Sequence, residues 1–198
     1  MIKAAIFDVG GVLIENPAPI MVKHYSSALR VTSQEFENLL NPYSVEWQKG
    51  TLDEEQLWDG IAIGLLPEQK RDLWIKGFEL AYREHAEMFK IIDSIKNDGI
   101  KTAILSNTEV PVMNFLKKKY AGIFHEYIFS CEVGMVKPER NIYEHAVALM
   151  SISPDEAVFI DDKEENVAAA RSFGMHGIRF ENVSAFKSAL KKLNLLSN

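Results

Sequence analysis

Short apolar runs that stop abruptly at polar residues recur along this chain, with helical patterns between them. Lys3 to Phe7 reads as a buried strand that ends at Asp8 and turns at Gly10-Gly11. Lys101 to Leu105 ends at Ser106-Asn107, Tyr127 to Phe129 at Ser130, and Ala157 to Ile160 at Asp161-Asp162. Helical periodicity predicts helices over Met88–Asn97, Val112–Lys119, Asn141–Met150, Glu164–Phe173 and Val183–Leu193. Such alternation predicts an α/β fold built from βαβ units around a mostly parallel sheet. Ligands of these sheets bind beyond the carboxyl ends of the strands, so the polar residues there are expected to gather on one rim.

One connection breaks the alternation. Between Glu15 and Glu84 the sequence predicts no strand, only helical segments at Ile20–Leu29, Ser33–Leu40, Asp53–Ile63 and Pro67–Tyr82. Ser33 with Phe36 and Leu39-Leu40 has the pattern of a capped amphipathic helix, and Pro67 suits a first helical turn. A connection of about 70 residues far exceeds the usual few between a strand and its helix. Residues 15–84 are therefore expected to form a helical cap, inserted into a core of residues 1–14 and 85–198. Trp47, Trp58, Trp74, Phe78 and Tyr82 are expected to be its small core, with one aromatic facing a substrate.

The 198 residues, 47% hydrophobic and 25% charged with a net charge of −6, exclude a disordered chain and supply a full core. Nothing in that balance invites nucleic acid or an anionic membrane. The basic run Lys117-Lys118-Lys119 suits a solvated helix end, where cations meet the carbonyl end of the dipole. The single cysteine, Cys131, has no partner for an intramolecular disulfide. The opening Met1 to Phe7 is too short for a signal peptide, and no stretch approaches the roughly 20 apolar residues of a membrane span. A cytoplasmic protein, monomeric or a weak homo-oligomer, is expected.

The chemistry concentrates at the strand ends. Asp8 alone reads equally well as a turn residue. Asp161 and Asp162, however, are adjacent carboxylates at a buried strand end, where their repulsion is relieved by a cation. A third carboxylate on the same rim makes a hard divalent ion such as Mg²⁺ the natural solution, against the simpler reading of acids decorating a helix N-terminus. Ser106, Asn107 and Lys137 supply a hydroxyl, an amide and an ammonium suited to phosphoryl oxygens, although a helix cap and a solvated lysine would explain them too.

Taken together, Asp8-Val9-Gly10-Gly11-Val12-Leu13, Leu105-Ser106-Asn107, Lys137-Pro138-Glu139 and Asp161-Asp162-Lys163-Glu164-Glu165-Asn166 resemble the four ordered motifs of the haloacid dehalogenase superfamily of hydrolases. The resemblance implies a Rossmann-like core with an inserted helical-bundle cap, Mg²⁺ as cofactor and a small phosphorylated substrate. It further implies that Asp8 attacks phosphorus to form an aspartyl phosphate. The Gly10 carbonyl and Asp162 would join Asp8 on the metal, and Asp161 would act through water or as an orienting group. Ser106 and Asn107 would bind phosphoryl oxygens, Lys137 would offset negative charge, and Asn166 would support the last motif.

The chain departs from that pattern at Gly10, where phosphatases of the superfamily carry a second Asp that protonates the leaving group. Acid assistance is worth on the order of 10²–10⁴-fold. Its place would be taken by a cap residue such as His24 or Glu15, or by a leaving group needing little help. The first motif resembles that of a glucose-1-phosphatase-like subgroup, which implies a sugar 1-phosphate. Haloacid dehalogenases also lack the second Asp, but they need no metal and do not normally carry paired acids in the fourth motif. A catalytically impaired binding protein is the remaining alternative; a response-regulator phosphoacceptor has its acids in a different order. His85, His125, His145 and His176 show no metal-ligand spacing.

Overall fold

The computed structural model of the chain describes residues 1–61, 65–70 and 72–195. Five parallel strands form its centre: β1 (Ala4–Phe7), β2 (Lys101–Ser106), β3 (Glu126–Phe129), β4 (Ala157–Asp161) and β5 (His176–Arg179), in the spatial order β3-β2-β1-β4-β5. The α/β architecture is the one the sequence predicts. β1 lies in the middle, with Phe7 level with Ile104 of β2 and Ile160 of β4. Asp8, Ser106 and Asp161 thereby end three neighbouring strands.

Period-two alternation sends β1 side chains to two apolar layers. Ala5 and Phe7 face one cluster and Ala4 and Ile6 the other. Helices α7 (Ala86–Asn97), α8 (Val110–Lys119) and α12 (Val183–Lys192) cover the first face. The second is covered by α10 (Arg140–Met150) and α11 (Glu164–Phe173). A short α9 (Ser130–Val133) follows β3 directly. The strand β5 is absent from the sequence expectation because His176, Gly177 and Arg179 interrupt its apolar character.

Six helices lie between β1 and α7: α1 (Ala18–Leu29), α2 (Ser33–Leu40), α3 (Ser44–Gln48), α4 (Glu54–Ile61), α5 (Pro67–Lys70) and α6 (Leu73–Ala81). Thr32, rather than Ser33, caps α2, in a reciprocal capping box with Glu35. The single helix expected over Pro67–Tyr82 is two, separated at Asp72, whose φ of 57° is left-handed; Arg71 lies outside the described residues. The end of the helix expected over Asp53–Ile63, at residues 62 and 63, likewise lies outside them. The insert leaves and re-enters side by side, with Glu15 N–H donating to Arg83 O and His85 N–H to Leu13 O.

An aromatic cluster holds these helices together. Tyr25 of α1 stacks on Trp74 of α6 at 4.8 Å, and its hydroxyl donates to Trp74 O at 2.7 Å. Trp47 and Trp58 pack on the same indole at 5.6 and 6.0 Å. The first apolar cluster runs from the sheet through these rings without a break.

Close approach of α1 and α6 depends on Gly77, where an added methyl carbon would lie 2.5 Å from the Tyr25 ring. Alanine adds about 1 kcal/mol of helix propensity, but forcing apart a packed ring costs 1–3 kcal/mol. Gly77→Ala is expected to lower stability by about 1 kcal/mol or more on balance, measured by urea denaturation; a more stable variant would show the contact to be loose.

Candidate active site

The loop after β1 places three acids on one rim. One ligand oxygen each from Asp8, Asp161 and Asp162 lies within 4.8 Å of the others. Gly11 makes this possible. Its φ is +80°, and a Cβ there would stand 2.4 Å from Asp162 Oδ2. The carboxylate of Asp162 packs against bare backbone, and its Oδ1 is buried without a hydrogen-bond partner among the described residues. Such an orphaned acceptor among three carboxylates fits a cation.

Lys137 reaches into this cluster from the loop between α9 and α10. Its Nζ lies 2.8 Å from Asp8 Oδ1 and 2.7 Å from Asp161 Oδ2, with only 1% of its side chain exposed. Asp161 is fully engaged: besides Lys137, it accepts from Lys163 N–H and, through both oxygens, from Asn166 Nδ2 at 3.0 Å. Its geometry is that of an orienting group. Asp8 and Asp162 are the more available carboxylates.

Burial raises the Asp8 carboxyl to about 6, a rise that Lys137 opposes and Asp161 assists. Burial disfavours the charge on Lys137, but Asp8 and Asp161 outweigh it and hold its ammonium above the usual lysine range. Asp162 is raised by burial and then by Asp161. For both acids burial is the largest cause, and Asp161 adds to it.

Ser106 lines the same cavity as Asp8, Gly10, Asn107, Lys137 and Asp162. Asn107 is also in place, but both ends of its amide serve the Lys137 backbone: Nδ2 donates to Lys137 O and Oδ1 accepts from Lys137 N–H, each at 2.8 Å. These bonds brace the lysine's backbone, a contact that the sequence expectation, which has Asn107 binding phosphoryl oxygens, does not include. Neither Glu15 nor His24 lines the cavity; His24 instead packs edge-on against Tyr25.

The residue that sequence reasoning missed is Glu109, at the start of α8 and on the cavity wall. Its carboxylate accepts from Trp74 Nε1 at 3.1 Å and bonds the Gln48 side chain. Burial pushes this carboxyl up to about 7. The available signal was Glu109 itself, an acid two residues beyond Asn107 and directly before Val110-Pro111-Val112.

The family model for haloacid dehalogenase-like hydrolases matches residues 2–174. The chain belongs to the haloacid dehalogenase-like hydrolases. This hydrolase is 28% identical over 197 residues to a sesquiterpene phosphatase of Aspergillus oryzae, an alignment covering 96% of each chain. It is also similar to a HAD-like family hydrolase of Porphyromonas gingivalis, with 25% identity, a TM-score of 0.77 and complete coverage of both chains. A HAD family enzyme of Bacteroides thetaiotaomicron, solved with magnesium and inorganic phosphate, shares the fold at 21% identity. Its TM-score is 0.76, over 94% of this chain and 99% of that one.

Two outcomes test the electrostatics. Lys137→Met leaves Asp8 and Asp161 buried without their cation and is expected to cost about 3–5 kcal/mol in chemical denaturation; a loss below 1 kcal/mol would contradict the burial of the pair. For Glu109 the folded carboxyl titrates near 7 and the ordinary one near 4.5. The neutral form is favoured in the fold, so the stability linked to Glu109 is complete below pH 4.5 and lost as pH rises through 7. Glu109→Gln is expected to gain on the order of 2–3 kcal/mol relative to the parent chain between pH 5 and pH 8; parallel pH profiles would refute this.

Proposed function

We propose that the hydrolase is a Mg²⁺-dependent phosphatase acting through an aspartyl phosphate on Asp8. The observation that carries it is the unpartnered Oδ1 of Asp162 beside Asp8 and Asp161, with Lys137 between the latter two. Asp8, Asp162 and the Gly10 carbonyl would hold Mg²⁺, which when bound offsets charge on the phosphoryl oxygens. Residues 15–84 act as a cap over the strand ends in this reading.

Each residue then has a separable task. The oxygen of Asp8 that Lys137 does not hold attacks phosphorus, the bond from phosphorus to the ester oxygen breaks and that oxygen departs with its body, while Lys137 pairs with the other carboxylate oxygen and favours its ionised form. Asp161 and Asn107 fix Lys137 from both sides, one through its ammonium and the other through its backbone. Ser106, at the end of β2, offers a hydroxyl to a phosphoryl oxygen. Asn166 keeps Asp161 oriented. Water then cleaves the aspartyl phosphate and releases inorganic phosphate, restoring Asp8.

Gly10 supplies no proton, which favours a leaving oxygen of low pKa. A sugar 1-phosphate meets that demand, as the first motif suggests, and so does an aryl phosphate. Dehalogenation is the weaker alternative because it needs no metal, and the acidic pair Asp161-Asp162, with the orphaned Oδ1 of Asp162, would then have no cation to hold.

Hydrolysis of p-nitrophenyl phosphate with Mg²⁺ is expected, falling at least about 10³-fold in Asp8→Asn or with excess chelator. Turnover that survives both the substitution and the chelator would exclude this mechanism.

A further inference from the structure

The cavity of about 280 Å³ that opens on the acidic rim continues into the helical insert, and its two ends differ in chemistry. Core residues present charge and hydroxyls. The insert presents Met21, Tyr25, Phe36, Leu40, Trp47 and Trp74, and its polar lining members Asn16, Ser44 and Gln48 are each hydrogen-bonded within the protein. Tyr25 stacks at 15° on Trp74, and Trp47 meets the same indole edge-on at 86°, so this wall is made of interlocked rings. It is pre-formed, as small-molecule pockets generally are.

One polar feature of the wall has no task inside the protein. The indole nitrogen of Trp47 is buried and has no hydrogen-bond partner among the described residues. A buried donor is disfavoured unless an acceptor reaches it. By contrast, its neighbours on the wall are engaged: Trp74 Nε1 donates to Glu109, and the Tyr25 hydroxyl donates to Trp74 O; the buried His24 Nε2, also without a partner among the described residues, is not part of the lining.

We propose that the substrate is a phosphomonoester with a mainly hydrocarbon body carrying one oxygen acceptor. The body lies on the aromatic wall, and its oxygen accepts from the Trp47 N–H. The proposal rests on the phosphatase reading of the Asp8 end and specifies what is attached to the phosphoryl group. A sugar ring fits this wall poorly, because its several hydroxyls would lose water without gaining partners against apolar rings. The leaving-group demand set by Gly10 is met as well by an aryl oxygen as by an anomeric one. The hydrocarbon body therefore replaces the sugar.

Calorimetry of the full chain with Mg²⁺ and non-hydrolysable phosphonates separates body from phosphoryl end. Benzylphosphonate is expected to bind at least roughly 30-fold tighter than methylphosphonate, from the apolar area it buries. In Trp47→Phe, which keeps a ring and removes the N–H, (4-methoxybenzyl)phosphonate is expected to lose roughly 5-fold while the other two ligands hold within roughly 2-fold. Leu40→Gln, at the partly exposed end of α2, is expected to shrink the benzyl-to-methyl ratio. Phosphate release should likewise favour 2-naphthyl phosphate over glucose 1-phosphate. Equal binding of benzyl- and methylphosphonate, or glucose 1-phosphate as the better substrate, would overturn the proposal. Equal weakening of all three phosphonates in Trp47→Phe would make the indole structural and overturn the acceptor. If p-nitrophenyl phosphate is hydrolysed and the benzyl preference is missing, only the hydrocarbon body fails. If that ester is untouched and the preference persists, the phosphatase reading fails and the phosphomonoester with it, while the apolar wall stands as a binding surface for a hydrocarbon body.

Discussion

A buried ammonium between two buried carboxylates organises this molecule. Lys137 touches Asp8 and Asp161 at once, and removing it would leave two neighbouring carboxylates, both largely buried, without their cation. Such a cluster persists only if its members are held from behind. Asn166 and the Lys163 N–H hold Asp161, Asn107 clamps the Lys137 backbone, and β1 anchors Asp8 through its N–H to Ile160 O. Three adjacent strand ends and two loops are locked by one charge arrangement.

The helical insert is tied to the same loops. Ser130 Oγ lies 2.7 Å from Gln48 O and 3.1 Å from Thr108 O, and it accepts from Thr108 N–H. Lys49 pairs with Glu139, two residues beyond Lys137, at 2.7 Å, although this partly exposed pair adds little stability. Trp74 reaches Glu109 across the cavity wall. The residues that shape the chamber are thus bonded to the segments that carry the chemistry. A change in α3 or α6 is felt at the rim through hydrogen bonds rather than through distance alone.

Much of this was legible in the sequence, for physical reasons. Buried parallel strands show as apolar runs, so β1 to β4 and the polar residues ending them stand out, whereas β5, with His176 and Arg179, does not. The acidic rim was readable because unlike residue types at strand ends are hard to explain as turns. The clamp of Asn107 on the Lys137 backbone was not, since the two residues meet only in the folded chain. Nor was the chamber wall, because Tyr25, Trp47 and Trp74 come from three helices whose packing no local pattern records. Glu109 shows the same limit: its unusual state arises wholly from tertiary burial.

The central claim is that Asp8 becomes covalently phosphorylated. Acid-quenching a reaction of p-nitrophenyl phosphate with Mg²⁺ in the steady state, followed by mass spectrometry of the peptide spanning Asp8, tests it directly. A hydroxylamine-labile phosphoryl group on Asp8, missing in Asp8→Asn, is the predicted result. Turnover at an undiminished rate in Asp8→Asn, or a phosphoryl group carried by another residue, would contradict it.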